Sequence, residues 1–192
     1  MAKRRTKKPA PARAEPTAEL TRALARRTKK ELVEVLLELA RADRGVLRQL
    51  TARFDVAAAP DELVAATRQA IVDATDFDKR DMNRNFDYDY EAYAEVKRNL
   101  ARLIDAGQLP LAMQLSLELM KQGSHQVEMS DEGMMTEDIE DCLTSVFTAL
   151  KKCDLSGAQV LTWCTAMLAN DCVGFIAEKQ LQSLRNHIQA AR

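Results

Sequence analysis

The segment YEAYAEVKRNLARLIDAGQLPLAMQLSLELM, residues 90–120, contains two helical patterns separated by a short turn. Apolar side chains recur at helical spacing before the turn and again after it. Asp105-Ala-Gly107 ends the first pattern, with Gly107 placed for a left-handed C-cap, and Pro110 begins the second. The segment therefore predicts an αα-hairpin, two antiparallel helices joined by a short loop.

The same kind of pattern continues outward in both directions. Thr28 and Glu31 match a capping box before a leucine-rich helix, and Pro60 has the position of a first helical residue. Towards the C-terminus, Trp163 falls within an apolar stripe and is predicted to be core. Sustained alternation and hairpin-turn dipeptides, which indicate strands, are almost absent. We predict an all-α fold of about seven or eight helices, arranged as tandem helical hairpins in a solenoid-like or irregular bundle, whose leucine stripes bury one another.

Two polar segments interrupt the helical patterns. Residues 75–89 are rich in Asp and Asn, with aromatic residues interleaved, and are predicted to form a long ordered loop. Gly123 is predicted to end its helix, so that residues 123–135, which include His125, form a second loop. Loops of this length are uncommon unless they are functional or disordered.

Charge is distributed unevenly along a chain of 192 residues whose formal net charge is only −1. Residues 1–30 contain 11 Lys/Arg and 2 Asp/Glu, whereas residues 31–192 contain 17 and 27. We predict a basic, disordered tail over residues 1–27, with a possible short helix, followed by a single all-α domain over residues 28–192. No apolar run is long enough to span a membrane and no secretory signal follows the basic start, so we expect a cytoplasmic protein.

The residue types that build metal and cofactor sites are poorly spaced here. The four cysteines lie too far apart for the close ligand pairs of a zinc site, and we expect them to be free and buried. A calcium loop starting at Asp76 would need Gly and Glu where Asp81 and Asp87 stand. The sequence thus predicts neither a metal site nor a cofactor.

Catalytic patterns are equally hard to find. The histidines, His125 and His187, have no cysteine or carboxylate pair at a spacing that indicates activation. Acidic runs such as residues 137–141 fit the start of a helix, where they complement its dipole. We predict that the chain is not an enzyme; a histidine found beside a cysteine or a carboxylate pair in a pocket would reopen that question.

Aromatic and acidic residues in the two loops are candidate contacts for a protein partner. Five of the aromatic side chains fall within residues 77–93, where they either complete the core, as the spacing of Tyr90 and Tyr93 suggests, or anchor a partner. The predicted partner-binding residues are Phe77, Asp78, Phe86, Tyr88, Asp131 and Glu132.

The basic tail suggests an alternative function. A flexible cationic arm can release counterions from phosphates and so bind nucleic acid without sequence preference. The tail has no aromatic residues that could stack on bases. The alternative interpretation is that the tail only increases solubility. The residues concerned are Lys3, Arg4, Arg5, Lys7, Lys8 and Arg13.

Four segments together resemble the helical region that follows the zinc finger in bacterial SWIM zinc finger proteins and a related all-α family: residues 31–40 (ELVEVLLELA), 90–107, 115–120 and the acidic Ser-Asp-Glu-Gly of 130–133. The resemblance covers residues 28–170 and implies a helical module that mediates contacts. The finger's Cys-x-Cys and Cys-x-His motifs are absent from this sequence, so its zinc and DNA functions do not carry over. We therefore expect a non-catalytic protein-protein interaction module, with nucleic-acid association as the alternative and the oligomeric state open.

Overall fold

The computed structural model describes residues 16–54, 59–78, 88–130, 133 and 135–190. These residues form nine α-helices and no strand, so the all-α prediction is confirmed and the predicted helix count is slightly low. None of the helices in this part of the chain is both long and apolar enough to cross a membrane.

The chain divides into two compact units, residues 1–55 and 56–192. The prediction of a single domain over residues 28–192 stays a prediction. Residues 16–54 of the first unit form three helices, of which α2 and α3 contact each other. Their bounds are α1 Pro16–Leu24, α2 Lys29–Ala42 and α3 Arg44–Arg53.

The described residues of the second unit form six helices whose contacts follow a regular series. Each of the first four contacts the helix two places later, so α4, α6 and α8 follow one another, as do α5, α7 and α9. This contact order is that of stacked helical hairpins. The bounds are α4 Pro60–Thr75, α5 Tyr90–Asp105, α6 Leu109–Met129, α7 Thr136–Leu150, α8 Gly157–Asn170 and α9 Glu178–Ala190.

Several helices begin or end at the residues that the capping patterns in the sequence predicted. The Thr28 hydroxyl accepts from the Glu31 backbone at 3.3 Å, and the Glu31 carboxylate accepts from the Thr28 backbone at 2.7 Å. Pro60 begins α4, and Gly107 has a φ of 73° directly after α5. These ends depend on neighbours in sequence, which explains why sequence patterns identify them.

The second predicted loop is wrong, because α6 continues through it to Met129. Gly123 lies inside the helix, where its missing side chain allows close packing against Ile139 of α7. The polar residues beyond it have partners on other helices: Ser124 donates to the Asn170 carbonyl at 2.9 Å, and Gln126 donates to the Ala74 carbonyl at 3.0 Å. Polarity here reflects buried hydrogen bonds rather than a surface loop.

The core of the second unit contains the leucine, isoleucine and valine stripes of α4 to α9. Trp163 is buried as predicted; its indole donates to the Met113 carbonyl at 2.9 Å and its ring packs edge-on against Phe147. Tyr93 is buried, but Tyr90 is 64% exposed, so only one of the two suspected core tyrosines is core.

Candidate functional site

The region where α4 ends and α5 begins contains all three of the predicted partner-binding residues that the structure describes. A cleft of about 460 Å³, which we call the junction cleft, lies between these two helix ends. Of the described residues that line it, four are acidic, three are aromatic and none is basic. The lining residues are Asp76, Phe77, Asp78, Tyr88, Asp89, Tyr90 and Glu91.

Phe77 and Asp78 leave the C-terminal end of α4 together but face different surroundings. Phe77 is half-buried, packs against the core and meets the His125 ring edge-on, with the ring centroids 6.3 Å apart. Asp78 is exposed. Phe77 therefore secures the end of α4, while the carboxylate of Asp78 contributes negative charge to the rim of the cleft.

Tyr88 fixes the other side of the cleft. Its hydroxyl donates to Asp138 Oδ2 at 2.9 Å, and its ring lies edge-on to that of Tyr93. Burial and the hydrogen bond to Asp138 raise the pKa of Tyr88 to about 12. With its hydroxyl bonded and its ring packed against the core, this side chain holds the start of α5 against α7.

Tyr90 is an exposed aromatic residue of the cleft, although its spacing from Tyr93 had suggested a core position. It is the first residue of α5 and follows the N-cap residue Asp89, whose carboxylate accepts from the Ala92 backbone at 2.9 Å. A tyrosine at the first position of a helix is a signal that sequence reading could have used, because that position has no preceding turn to cover it. Tyr90 and the carboxylates beside it give the cleft an apolar anchor surrounded by negative charge.

Several predicted site residues lie outside the described residues. Phe86, Asp131 and Glu132 of the partner-binding set are among them, and so is the whole cationic set, Lys3, Arg4, Arg5, Lys7, Lys8 and Arg13. The structure thus brings Phe77, Asp78 and Tyr88 together at one cleft.

A second polar cluster joins α6 to the segment between α8 and α9. The Cys172 thiol lies 3.3 Å from the Ser124 hydroxyl and 3.7 Å from Glu128 Oε2, and the same carboxylate oxygen lies 3.4 Å from His125 Nδ1. The imidazole thus contacts the carboxylate rather than the thiol. A cysteine nucleophile is activated by a base within hydrogen-bond reach of its sulfur, and here the group in reach is the Glu128 carboxylate rather than an imidazole.

The cysteines differ in accessibility. All four are free; Cys142 and Cys164 are buried as predicted, Cys153 is half-buried, and Cys172 is exposed, contrary to the prediction. Burial raises the pKa of Cys142 to about 12 and also raises that of Cys164. No group of three or more His, Cys, Asp or Glu side chains suited to a metal ion occurs within the described ranges.

The leucine-rich hairpin of α2 and α3 is the part of the described chain where side-chain burial departs most from the prediction. Among residues 18–54 whose burial is described, Ala40 alone is buried, although the sequence pattern assigned this stripe to the core. A large apolar surface exposed on a folded protein indicates a contact site. The exposed large apolar residues are Leu20, Leu24, Val33, Val35, Leu36, Leu37, Leu39, Leu47 and Phe54.

Comparisons with protein-family models, curated proteins and solved structures return no match for this chain.

Proposed function

We propose that the chain is a non-catalytic helical module that binds a protein partner through the junction cleft. The observation that carries the proposal is the exposed ring of Tyr90, which lines the same cleft as the carboxylates of Asp78 and Glu91. Tyr88 and Phe77 hold the two helix ends that present these side chains. Interface hot spots are enriched in tyrosine, and a fixed backbone lowers the entropy lost on binding. The resemblance to the SWIM-associated helical region supports the same class of function.

The test is quantitative co-purification with the tagged full-length chain from native cytoplasmic extract. Tyr90→Ala, alone and with Asp78→Asn, is expected to reduce the recovery of specific partners several-fold. Phe175→Ala is the matched control, because Phe175 is also an exposed aromatic residue, 49% accessible, on a different segment. Equal recovery with all variants would reject the junction cleft as the binding surface.

Nucleic-acid association is the second candidate, and the segregation of charge favours it. Residues 1–55 contain 15 Lys/Arg and 7 Asp/Glu, whereas residues 56–192 contain 13 and 22. In the described part of the first unit, Arg22, Arg26, Arg27, Lys29 and Lys30 are all exposed. Clusters of exposed cationic side chains bind phosphates in a strongly salt-dependent manner.

Deletion of residues 1–27 distinguishes the two candidates. The intact chain is expected to be retained on DNA or RNA at low salt and to lose retention as salt rises, while the truncated chain is not retained. Absence of retention for the intact chain at low salt would reject nucleic-acid association and leave the protein-binding proposal unaffected.

A further inference from the structure

Exposed large apolar side chains are concentrated in the first unit. Of the thirteen that are exposed in the described chain, nine lie in residues 20–54, on the three helices and the residue after α3. Single exposed apolar residues are ordinary on a folded protein. A concentration of them in one small unit indicates a surface that contacts something apolar.

One side of α2 combines exposed apolar and cationic side chains. At about 3.6 residues per turn, four exposed residues fall within an arc of about 80°. This α2 stripe consists of Lys30, Val33, Leu37 and Arg41. Val33 is 45% exposed and Leu37 is 50% exposed. Buried Ala40 and half-buried Leu32 mark the covered side of the helix, whose centre lies roughly 100° from that of the stripe, so the stripe is open to a further contact.

The carboxylates of α2 lie to one side of this stripe. Glu31 and Glu38 are each about 100° from its centre, and Glu31 forms an ion pair with Arg27 at 3.5 Å. Glu34 borders the stripe and forms an ion pair with Lys30 at 4.0 Å. Exposed ion pairs of this kind are weak, so the Lys30 ammonium can also serve other anions. With the stripe against a surface, Glu31 and Glu38 would point away from that surface.

We propose that the first unit adsorbs to an anionic lipid surface, with the α2 stripe facing the membrane. Val33 and Leu37 enter the boundary between headgroups and acyl chains, where apolar side chains are removed from water. Lys30 and Arg41 lie along the edge of the stripe, and their long side chains extend so that the charged groups reach lipid phosphates. A helix bound in this way lies on the bilayer and does not span it.

Charge complementarity selects anionic lipid as the occupant of this surface. Residues 16–54 contain 9 Lys/Arg and 5 Asp/Glu, and residues 1–30 contain 11 and 2. An anionic leaflet attracts a basic segment, and an apolar anchor combined with basic residues binds more stably than either signal alone. Residues 56–192, with 13 Lys/Arg and 22 Asp/Glu, lack that attraction.

Lipid also accounts for side chains that nucleic acid would leave exposed. The phosphates of DNA or RNA would satisfy the cations of the first unit but would not cover Val33 and Leu37. An anionic bilayer supplies both the phosphates and the apolar phase beneath them. The proposal is therefore independent of both candidate functions given above.

The first experiment is flotation of the full chain with phosphatidylcholine vesicles, prepared with and without phosphatidylserine. The chain is expected to float only with the vesicles that contain phosphatidylserine. Leu37→Glu is expected to reduce the floating fraction several-fold, with an unchanged helical circular dichroism spectrum. Val72→Glu on α4 is the matched control, since Val72 is 48% exposed, and it should leave flotation intact.

Three results of this experiment would overturn the proposal. The first is no flotation with phosphatidylserine vesicles at low salt. The second is equal flotation of the wild-type chain and Leu37→Glu, which would assign binding to charge alone. The third is a wild-type dimer in sedimentation that does not float and that Leu37→Glu dissociates, which would assign the stripe to a second copy.

The second experiment does not depend on Leu37→Glu remaining folded. In a Cys172→Ser background, which removes the exposed thiol, Leu37→Cys and Glu38→Cys are each labelled with a fluorophore that responds to polarity. Addition of phosphatidylserine vesicles is expected to shift the emission of the Leu37→Cys label to shorter wavelength, and to shift that of the Glu38→Cys label much less. No shift at Leu37→Cys, or equal shifts at both sites, would contradict the orientation of α2 on the membrane.

Discussion

The Gly123 backbone packs directly against the Ile139 side chain, so that a Cβ atom at position 123 would lie 2.7 Å from Ile139 Cδ1. Both residues are buried, one on α6 and the other on α7. The close approach of these two helices therefore depends on the absence of a side chain at position 123.

Gly123→Ala is expected to lower the free energy of unfolding, measured by urea denaturation. Overpacking a buried contact costs about 1–3 kcal/mol. The gain in helix propensity from glycine to alanine, about 1 kcal/mol, offsets only part of this cost. Ile139→Val removes the Cδ1 atom, so in that background the same substitution should become neutral or stabilising. A destabilisation of equal size in both backgrounds would show that the Cδ1 contact is not its cause.

Tyr93→Phe is expected to destabilise the second unit. The Tyr93 hydroxyl donates to Gln126 Oε1 at 2.5 Å, and the Gln126 amide donates to the Ala74 carbonyl, so this buried glutamine links α5 to α4. Loss of the donor leaves the buried oxygen without this hydrogen bond, at a cost of about 1–3 kcal/mol. Urea denaturation measures the change. Tyr90→Phe is the control, since its ring is exposed, and an equal loss there would contradict the assignment.

Stability is expected to fall at alkaline pH. The folded pKa of Cys142 is raised from 9.0 to about 12, and that of Tyr88 from 10.0 to about 12, mainly by burial. Above the unfolded pKa values the unfolded chain loses protons that the folded chain retains, so stability present below pH 9 is lost as the pH rises towards 12.

Urea denaturation across this pH range measures the alkaline loss of stability. Cys142→Ala removes one of the groups with a raised pKa and should reduce the slope of the unfolding free energy against pH, particularly in the lower part of the range. An unchanged slope in Cys142→Ala would exclude this thiol as a source of the effect.

Cys172 is expected to react first with an alkylating reagent in the folded chain. The Cys172 thiol is exposed. Cys142 and Cys164 are buried, which shields their sulfur atoms from the reagent, and their raised pKa values reduce the fraction present as the reactive thiolate. Peptide mass spectrometry over a time course measures the order of labelling. Cys172→Ser should remove the fastest phase, and labelling of Cys142 at the same rate would contradict its burial.

The sequence by itself determined the helical class and many of the helix ends. Pro60, Gly107 and the Thr28–Glu31 pair act on backbone groups within a few residues, so their effects can be read from the adjoining sequence. The same local logic identified Trp163 and Tyr93 as apolar positions on helical stripes. It left open whether Phe77 and Tyr88 serve the core or a partner, because both roles use the same residue types.

Only the tertiary structure decided which helices cover which surfaces. Gln126 and Ser124 are polar in sequence, yet they are buried because their acceptors are carbonyls of α4 and α8, about 50 residues away along the chain. Leu39 is apolar in sequence, yet it remains 49% exposed. Burial depends on contacts between distant segments, and a periodic pattern specifies an apolar face without specifying what packs on it.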